Sequence, residues 1–301
     1  MAYDFEINKI KKEIKKRKAK KILLQFPEGL KTKAEQVMKQ LKGYDVWLSA
    51  EPCFGACDIK TKGFDLTIHF AHSKMLPNKK VIYIETPSDL SIKKSIKKAI
   101  PYLKKTTTVV TTIQHIHKLK EAEEMLKKTG IKIIPAKKGK RATYKGQVLG
   151  CDGSAALTEA ESILYIGSGY FHPLFVSFIT KKEVIQANPY NNSVKIIKPV
   201  QWEKEKYLRI SKAMNSKNFA WVFSTKPGQK FFSSNKVPKE GYKIIMENIT
   251  PEALDYLPFD AFIITACPRI VYDDWKNYKK PVLLPNEYKE LKKIKIKDLK
   301  K

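Results

Sequence analysis

The 301-residue sequence has few cysteines and no long apolar stretch. Four cysteines in a chain of this length do not suggest the disulfide framework of small secreted domains. No apolar run approaches the roughly 18 residues of a membrane span, and the first residues lack the apolar middle of a secretory signal. We therefore expect a cytoplasmic protein without a membrane segment, whose thiols bind metal, take part in catalysis or fill the core.

The net charge is +29, and nearly all of the positive excess is lysine. Only four of the 59 basic residues are arginine, which does most of the bidentate reading of phosphates and bases. The lysines are spread over the whole chain without a recognisable nucleic-acid motif. This composition favours a solvated lysine-rich surface, with a basic face that attracts an acidic macromolecule as the alternative. The four arginines are Arg17, Arg141, Arg209 and Arg269.

Short apolar runs recur in three groups of four, with helical patterns between them. Such runs are typical of strands covered on both faces, and strand–helix–strand alternation predicts parallel sheets. We predict an α/β fold of three similar small domains, residues 1–104, 105–200 and 201–301, each a four-stranded, mainly parallel sheet flanked by helices. The predicted strands are Ile22–Phe26, Val46–Ser49, Leu66–Phe70, Val81–Ile84, Thr107–Thr112, Ile131–Ile134, Ile163–Ile166, Glu183–Gln186, Phe219–Ser224, Lys243–Met246, Ala261–Thr265 and Val282–Leu284.

Three cysteines lie in loops that follow predicted strands, one in each domain. They are Cys57, Cys151 and Cys267. Open parallel sheets bind ligands at the carboxyl ends of their strands, so three domains around a common axis would bring these thiolates together. Thiolates suit iron–sulfur clusters and zinc, and a 4Fe–4S cluster held by three cysteines leaves one iron open to a substrate.

The spacing of the cysteines leaves other interpretations open. Cys53 and Cys57 form a C-x3-C pair that would instead begin a zinc site. Alternatively, Cys53 is inert. In a third interpretation the cysteines bind no metal and are simply small residues of the core or of loops.

Several polar residues near strand ends are candidates for cofactor binding. The loop Gly167-Ser168-Gly169 can present N–H groups to a carboxylate or ribose, or it is only a tight turn. His172 is either a structural hydrogen-bonding residue or a catalytic residue of a cofactor pocket, with a general-base role as a hypothesis. Gln229 is a cofactor ligand or a loop amide. Arg269 would pair with a carboxylate of the cofactor, balance cluster charge, or pair with Asp273 or Asp274.

At these loops the sequence resembles the family of diphthamide-synthesis enzymes, and the resemblance covers nearly the whole chain. Its specificity comes from the joint order and spacing of the motifs. The family more often has Tyr where Phe54 precedes Gly-Ala-Cys. The motifs are Phe26-Pro27-Glu28-Gly29-Leu30, Phe54-Gly55-Ala56-Cys57-Asp58, Gly146-Gln147-Val148-Leu149-Gly150-Cys151, Ile166-Gly167-Ser168-Gly169-Tyr170-Phe171-His172-Pro173-Leu174, Lys226-Pro227-Gly228-Gln229 and Thr265-Ala266-Cys267-Pro268-Arg269.

The resemblance implies three similar domains around a 4Fe–4S cluster, with Cys57, Cys151 and Cys267 as its ligands and Cys53 outside the ligand set. It also implies transfer of the 3-amino-3-carboxypropyl group from S-adenosylmethionine to the imidazole C2 of a histidine in translation elongation factor 2, by an unusual radical mechanism. The implied partners are that factor, an external electron donor and a second copy of the chain. Nucleic acid is not expected as a substrate.

Two other functions compete with this interpretation. Quinolinate synthase also places one cysteine from each of three domains around a cluster with an open iron, but it condenses and dehydrates small molecules. The motifs above favour the diphthamide family. A basic nucleic-acid-binding metalloprotein is the less favoured alternative, and it predicts steeply salt-dependent binding without cofactor turnover.

Overall fold

The computed structural model describes residues 3–230 and 241–298, and within them the chain folds into three sheets flanked by helices. The predicted α/β class is thereby confirmed. The strands are β1 (Lys21–Gln25), β2 (Asp45–Leu48), β3 (Leu66–Phe70), β4 (Val81–Ile84), β5 (Thr106–Thr111), β6 (Lys132–Ile133), β7 (Ser162–Ile166), β8 (Val184–Asn188), β9 (Ser193–Ile197), β10 (Phe219–Ser224), β11 (Tyr242–Met246), β12 (Ala261–Ile264) and β13 (Val282–Leu283).

The helices lie between the strands, as the alternating pattern predicts. Short 3-10 turns precede several of them, including α2 and α4. The helices are α1 (Ile7–Arg17), α2 (Ala34–Gln40), α3 (Lys93–Ala99), α4 (Leu119–Lys127), α5 (Phe171–Thr180), α6 (Pro199–Lys212), α7 (Pro251–Asp255), α8 (Arg269–Tyr272) and α9 (Pro285–Asp298). No helix in these described ranges is both long enough and apolar enough to cross a bilayer.

The first and third sheets share one topology. Their strand orders are β2-β1-β3-β4 and β11-β10-β12-β13, and all of their strand pairs are parallel. In each of these sheets the direction in which successive strands are added reverses at one point. That point lies between β1 and β3 in the first sheet and between β10 and β12 in the third. Loops leaving the carboxyl ends of the strands at such a reversal form a crevice where ligands bind.

The second sheet has five strands, one more than the sequence predicts. Its order is β6-β5-β7-β8-β9, and β9 pairs antiparallel with β8 through a tight hairpin in which Asn192 has a left-handed φ of 54°. The extra strand carries no continuous apolar run, because only Ile197 of its five residues is fully buried. An exposed edge strand of this kind lacks the pattern by which the buried parallel strands are recognised.

Two helices near the predicted domain boundaries connect neighbouring parts of the fold. Helix α3 belongs in sequence to the predicted first domain, yet Ile92, Ile96 and Ala99 are buried in the same cluster as Val109 and Leu164 of the second sheet. Helix α6 contacts α5, which packs on the second sheet, as well as β13 of the third sheet and α9.

The first sheet is covered by an aromatic cluster beside its helices. The rings of Phe26 and Phe70 stack at 4.0 Å, and Phe5 meets both edge-on. Burial of each such side chain contributes about 1.5–3 kcal/mol to the free energy of unfolding. The clusters at the other two sheets combine aliphatic residues of β5, β7, β8, β10 and β12 with residues of the helices and loops that cover them.

Candidate functional site

The three cysteines that follow strands line one cavity of about 980 Å³. Cys57 comes from the loop between β2 and β3, Cys151 from the loop before β7, and Cys267 from the end of β12. Each of the three sheets therefore contributes one thiol. All three are partly exposed and none is paired in a disulfide.

Cys57 lies against the loop that follows β10 of the third sheet. Its carbonyl oxygen accepts a hydrogen bond from the Gly228 amide at 2.8 Å, and its Sγ accepts one from Gln229 Nε2 at 3.2 Å. A Cβ at position 228 would lie 2.5 Å from the Cβ of Cys57. This close approach of two backbones requires glycine at position 228.

Cys151 is presented by a tight turn. The amide and carbonyl groups of Leu149 and Asp152 bond to each other on either side of it, at 2.8 and 3.1 Å. The turn is packed under the Phe171 ring, which lies 2.3 Å from where a Cβ of Gly150 would be. Glycine at position 150 therefore allows the first turn of α5 to cover the cysteine loop.

Cys267 lies three residues after the end of β12 and just before the short helix α8. The backbone N–H of Arg269 bonds to its sulfur, and its carbonyl accepts from the Ile270 amide at 3.2 Å. The cysteine thus occupies a strand-to-helix turn at the carboxyl edge of the third sheet, where the backbone holds its sulfur toward the cavity.

Cys57 lies close enough to Cys151 and Cys267 to disfavour the ionisation of both. Burial raises the pKa of Cys267 to about 11, and the neighbouring Cys57 and Cys151 act in the same direction. Burial also raises the pKa of Cys151, which the Arg141 guanidinium partly offsets. Three thiolates at this place need a compensating cation, and metal ions that coordinate sulfur supply that charge.

A second, smaller cavity of about 260 Å³ adjoins the first and shares three of its lining residues, Cys57, Gln229 and Cys267. A buried ion pair lies in its wall, where Lys226 Nζ is 2.6 Å from the Asp58 carboxylate. This pair joins the loop after β2 of the first sheet to the loop after β10 of the third. Lys60 and Glu247 extend it toward solvent.

Arg269 stands at the edge of the smaller cavity. Its guanidinium lies over the rings of Phe54 and Phe171, at 5.9 and 5.4 Å, and it donates to the Asp273 carboxylate at 3.0 Å. Of the pairings predicted for Arg269, the one with Asp273 is the one the structure shows. The aromatic rings keep the guanidinium plane beside the cysteines.

The Gly167-Ser168-Gly169 loop precedes Phe171 in the chain, and the His172 ring contacts the Phe171 ring edge-on. Neither the loop nor His172 lines either cavity. Gln186 Nε2 donates to the carbonyls of Gly167 and Gly169, which fixes the loop as a turn between β7 and α5. Burial and then the Arg269 charge lower the pKa of His172 to about 4, so its ring is neutral at pH 7.

Sequence reasoning missed two features of this site. Arg141 donates from Nη2 to the Gly228 carbonyl at 2.7 Å and lines the larger cavity beside Cys151. Asp58 forms a buried ion pair with Lys226, a residue far away in the sequence. The scarcity of arginine was an available signal, because Arg141 and Arg269 both lie at the cysteines.

Comparisons with known proteins identify the family. A family model described as "Putative diphthamide synthesis protein" matches residues 26–298. The chain is 36% identical to 2-(3-amino-3-carboxypropyl)histidine synthase of Pyrococcus horikoshii, over 95% of this chain and 90% of that one. It is 32% identical to the protein of the same name from Methanocaldococcus jannaschii, over 89% and 83% of the two chains.

Solved structures agree with the sequence comparisons. The crystal structure of Dph2 from Pyrococcus horikoshii superposes with a TM-score of 0.88 at 34% identity, covering 97% of this chain and 91% of that one. A second crystal structure of that protein, described as containing a 4Fe-4S cluster, superposes with a TM-score of 0.87 at the same identity and coverage. The resemblance predicted from the sequence is confirmed, and the chain belongs to the diphthamide-synthesis family.

Proposed function

We propose that this chain is a transferase that moves the 3-amino-3-carboxypropyl group of S-adenosylmethionine onto the imidazole C2 of a histidine in translation elongation factor 2. The convergence of Cys57, Cys151 and Cys267 on one cavity, in a chain of this family, carries the proposal. Its relatives are named as synthases of the corresponding modified histidine. In the net reaction the group replaces the C2 hydrogen, and methylthioadenosine and a proton are released.

The donor set around the larger cavity fits a 4Fe–4S cluster. Three thiols from three loops match a cluster with one iron free of protein ligands, and Gln229 Nε2 already donates to one of the sulfurs. We assign Cys57, Cys151 and Cys267 as its ligands. When bound, the cluster would supply an open iron for S-adenosylmethionine and the electron that breaks its bond between sulfur and the γ-carbon.

The smaller cavity suits the amino-acid end of S-adenosylmethionine. Arg269 and Lys226 offer positive charge for a carboxylate, and Glu247 and Asp274 offer negative charge for an ammonium. Because this cavity shares Cys57 and Cys267 with the larger one, a molecule bound there has its reactive end next to the cysteines. The Gly167-Ser168-Gly169 loop would act indirectly, by holding Phe171 and α5 in place.

The larger cavity suits the protein substrate. Its outer wall carries Trp221 and Tyr288 with Lys289 and Lys292, an aromatic and basic surface that favours an acidic polypeptide. A histidine entering from this side would reach the cysteine end. His172, neutral behind Phe171, stays a hypothesis for the group that accepts the C2 proton.

The remaining partners follow from the same proposal. We expect a homodimer in the cytoplasm that receives electrons from an external donor.

The test is anaerobic incubation of the reconstituted, dithionite-reduced protein with S-adenosylmethionine, followed by analysis of the small-molecule products. We expect methylthioadenosine together with a homocysteine-related or aminobutyrate fragment. With elongation factor 2 present, the fragment should instead appear on one histidine of that protein. Production of 5′-deoxyadenosine would indicate an ordinary radical enzyme with another substrate, and absence of cleavage by protein with full iron and sulfide would favour the quinolinate-type reaction.

A further inference from the structure

We propose that Cys53, His69 and His72 form a second metal site, for a zinc ion, that is separate from the three cysteines of the cavity. Nothing in the proposed transferase reaction uses these residues, and the inference does not depend on that reaction. The zinc would fasten the loop that carries Cys57 to the first sheet.

The three side chains already form a compact ligand set. Cys53 Sγ and one ring nitrogen each of His69 and His72 lie within 4.8 Å of one another. His69 is in β3, His72 lies just beyond the end of that strand, and Cys53 comes from the loop after β2. Cys53 and His69 are fully buried, at 0% exposure. A buried group of one sulfur and two imidazole nitrogens is a preferred environment for zinc.

The separation of the two ring nitrogens is close to that in a tetrahedral site. His69 Nε2 and His72 Nδ1 are 3.0 Å apart. In tetrahedral zinc with nitrogen ligands at about 2.0–2.1 Å, two such nitrogens are about 3.3 Å apart. A small outward shift of the rings would therefore place a zinc ion between them and the sulfur. Three protein ligands leave the fourth position to a non-protein ligand.

The hydrogen bonds behind His69 orient its lone pair toward this position. Gln25 Nε2 donates to the Asp58 carbonyl at 2.6 Å, so the Gln25 Oε1 faces His69 Nδ1, 3.0 Å away, and accepts from it. With its proton on Nδ1, His69 presents an unprotonated Nε2 to Cys53 and His72. Ligating histidines in metal sites are commonly oriented in this way by a hydrogen bond at their other nitrogen.

The protonation of the sulfur and of the second ring also bears on metal binding. Burial raises the pKa of Cys53 to about 12, and the hydrogen bond from the Gly55 amide to its Sγ offsets this only in part, so a bound cation would be needed to hold the sulfur as a thiolate. Burial lowers the pKa of both imidazoles below their usual value, so that both rings are in the neutral, ligating form at neutral pH. In the absence of metal, His72 shares a proton with His69 and bonds to the Phe70 backbone, and a zinc ion would replace the shared proton.

The decisive experiment uses the full-length chain with Cys57, Cys151 and Cys267 all changed to Ser, so that no iron–sulfur cluster can form on them. Cobalt(II) is added anaerobically and the visible and near-ultraviolet spectrum is recorded. Zinc content is then measured by mass spectrometry after equilibration and gel filtration. We expect one metal ion per chain, with a thiolate-to-cobalt charge-transfer band and the strong ligand-field bands of four-coordinate cobalt.

Substitutions in the same background assign the ligands. Cys53→Ser should abolish the charge-transfer band, and His69→Gln should weaken zinc binding by at least about tenfold. His115→Gln is the matched control, because His115 is equally buried but lies outside the site, and zinc binding should be unchanged. Circular dichroism verifies that each variant is folded, and Gln25→Leu, which alters no proposed ligand, provides a second test through weakened binding.

A folded triple variant that binds no stoichiometric cobalt or zinc would overturn the proposal and leave a hydrogen-bonded histidine pair. Retention of the charge-transfer band in the Cys53→Ser variant would overturn it as well. Cleavage of S-adenosylmethionine is measured separately on wild-type protein, so failure of the zinc site and failure of the transferase are distinguishable.

Discussion

The backbone of Gly228 lies directly against that of Cys57. The Gly228 amide donates to the Cys57 carbonyl at 2.8 Å, and a Cβ on residue 228 would be 2.6 Å from the Cys57 Cα. The loop after β10 therefore meets the cysteine loop of the first sheet with no space for a side chain. This contact sets the position of Cys57 relative to the third domain.

Gly228→Ala should consequently disturb the cysteine cavity. The added methyl group must displace backbone, which we expect to lower the free energy of unfolding by about 1–3 kcal/mol and to reduce the iron bound after reconstitution. Denaturant unfolding and iron analysis measure both effects. Gly29→Ala is the control, because nothing lies within 4 Å of a Cβ there. Wild-type iron content and stability in Gly228→Ala would contradict this account of the contact.

The two kinds of cysteine should respond differently to substitution. Cys151→Ala should lose the iron–sulfur cluster and all transferase activity, because it removes one of three proposed ligands. Cys53→Ala should keep iron at the wild-type ratio, since Cys53 lies with two histidines and not in the lining of the cavity. Iron and sulfide analysis with visible absorption spectra gives the measurement. Full iron content in Cys151→Ala would refute the ligand assignment.

Gln229 should tune the reduction potential of the cluster. Its Nε2 donates to Cys57 Sγ at 3.2 Å, and hydrogen bonds to ligand sulfur stabilise the reduced, more negative state. We expect Gln229→Leu to make the potential more negative while the cluster still assembles. A redox titration followed by electron paramagnetic resonance measures the shift. Gln201→Leu, on the outer helix α6, should leave the potential unchanged, and an unshifted potential in Gln229→Leu would exclude the effect.

Stability should fall in mild acid partly because of His115. Burial lowers the pKa of this side chain to about 4, whereas it is near 6.5 in the unfolded chain. The unfolded state therefore binds the extra proton first, and stability is full above pH 6.5 and declines as the pH falls toward 4. This single group accounts for up to about 3 kcal/mol.

The matched variant is His115→Phe, which keeps the ring contact with Tyr190 but does not titrate. Unfolding measured by denaturant between pH 7 and pH 4 should show a shallower decline for the variant. Identical pH dependence in both proteins would show that His115 does not contribute.

The fold class, the three groups of strands and the candidate cysteines could all be predicted from the sequence. Continuous apolar strands alternating with helices admit few arrangements, because parallel strands need crossovers and burial on both faces. The exception was β9, whose exposed edge has no continuous apolar pattern. The motifs around Cys57, Cys151 and Cys267 were sufficient to identify the family, because their order along the chain is specific.

Which distant residues meet is seen only in the tertiary structure. Arg141 reaches the Gly228 carbonyl across 87 positions, and Lys226, after a strand of the third sheet, reaches Asp58, after a strand of the first. Cys53, considered inert or the start of a C-x3-C zinc site, lies instead with His69 and His72. Local patterns hold no information on such pairs, because the packing of three separate sheets against one another fixes which loops approach at their common edge.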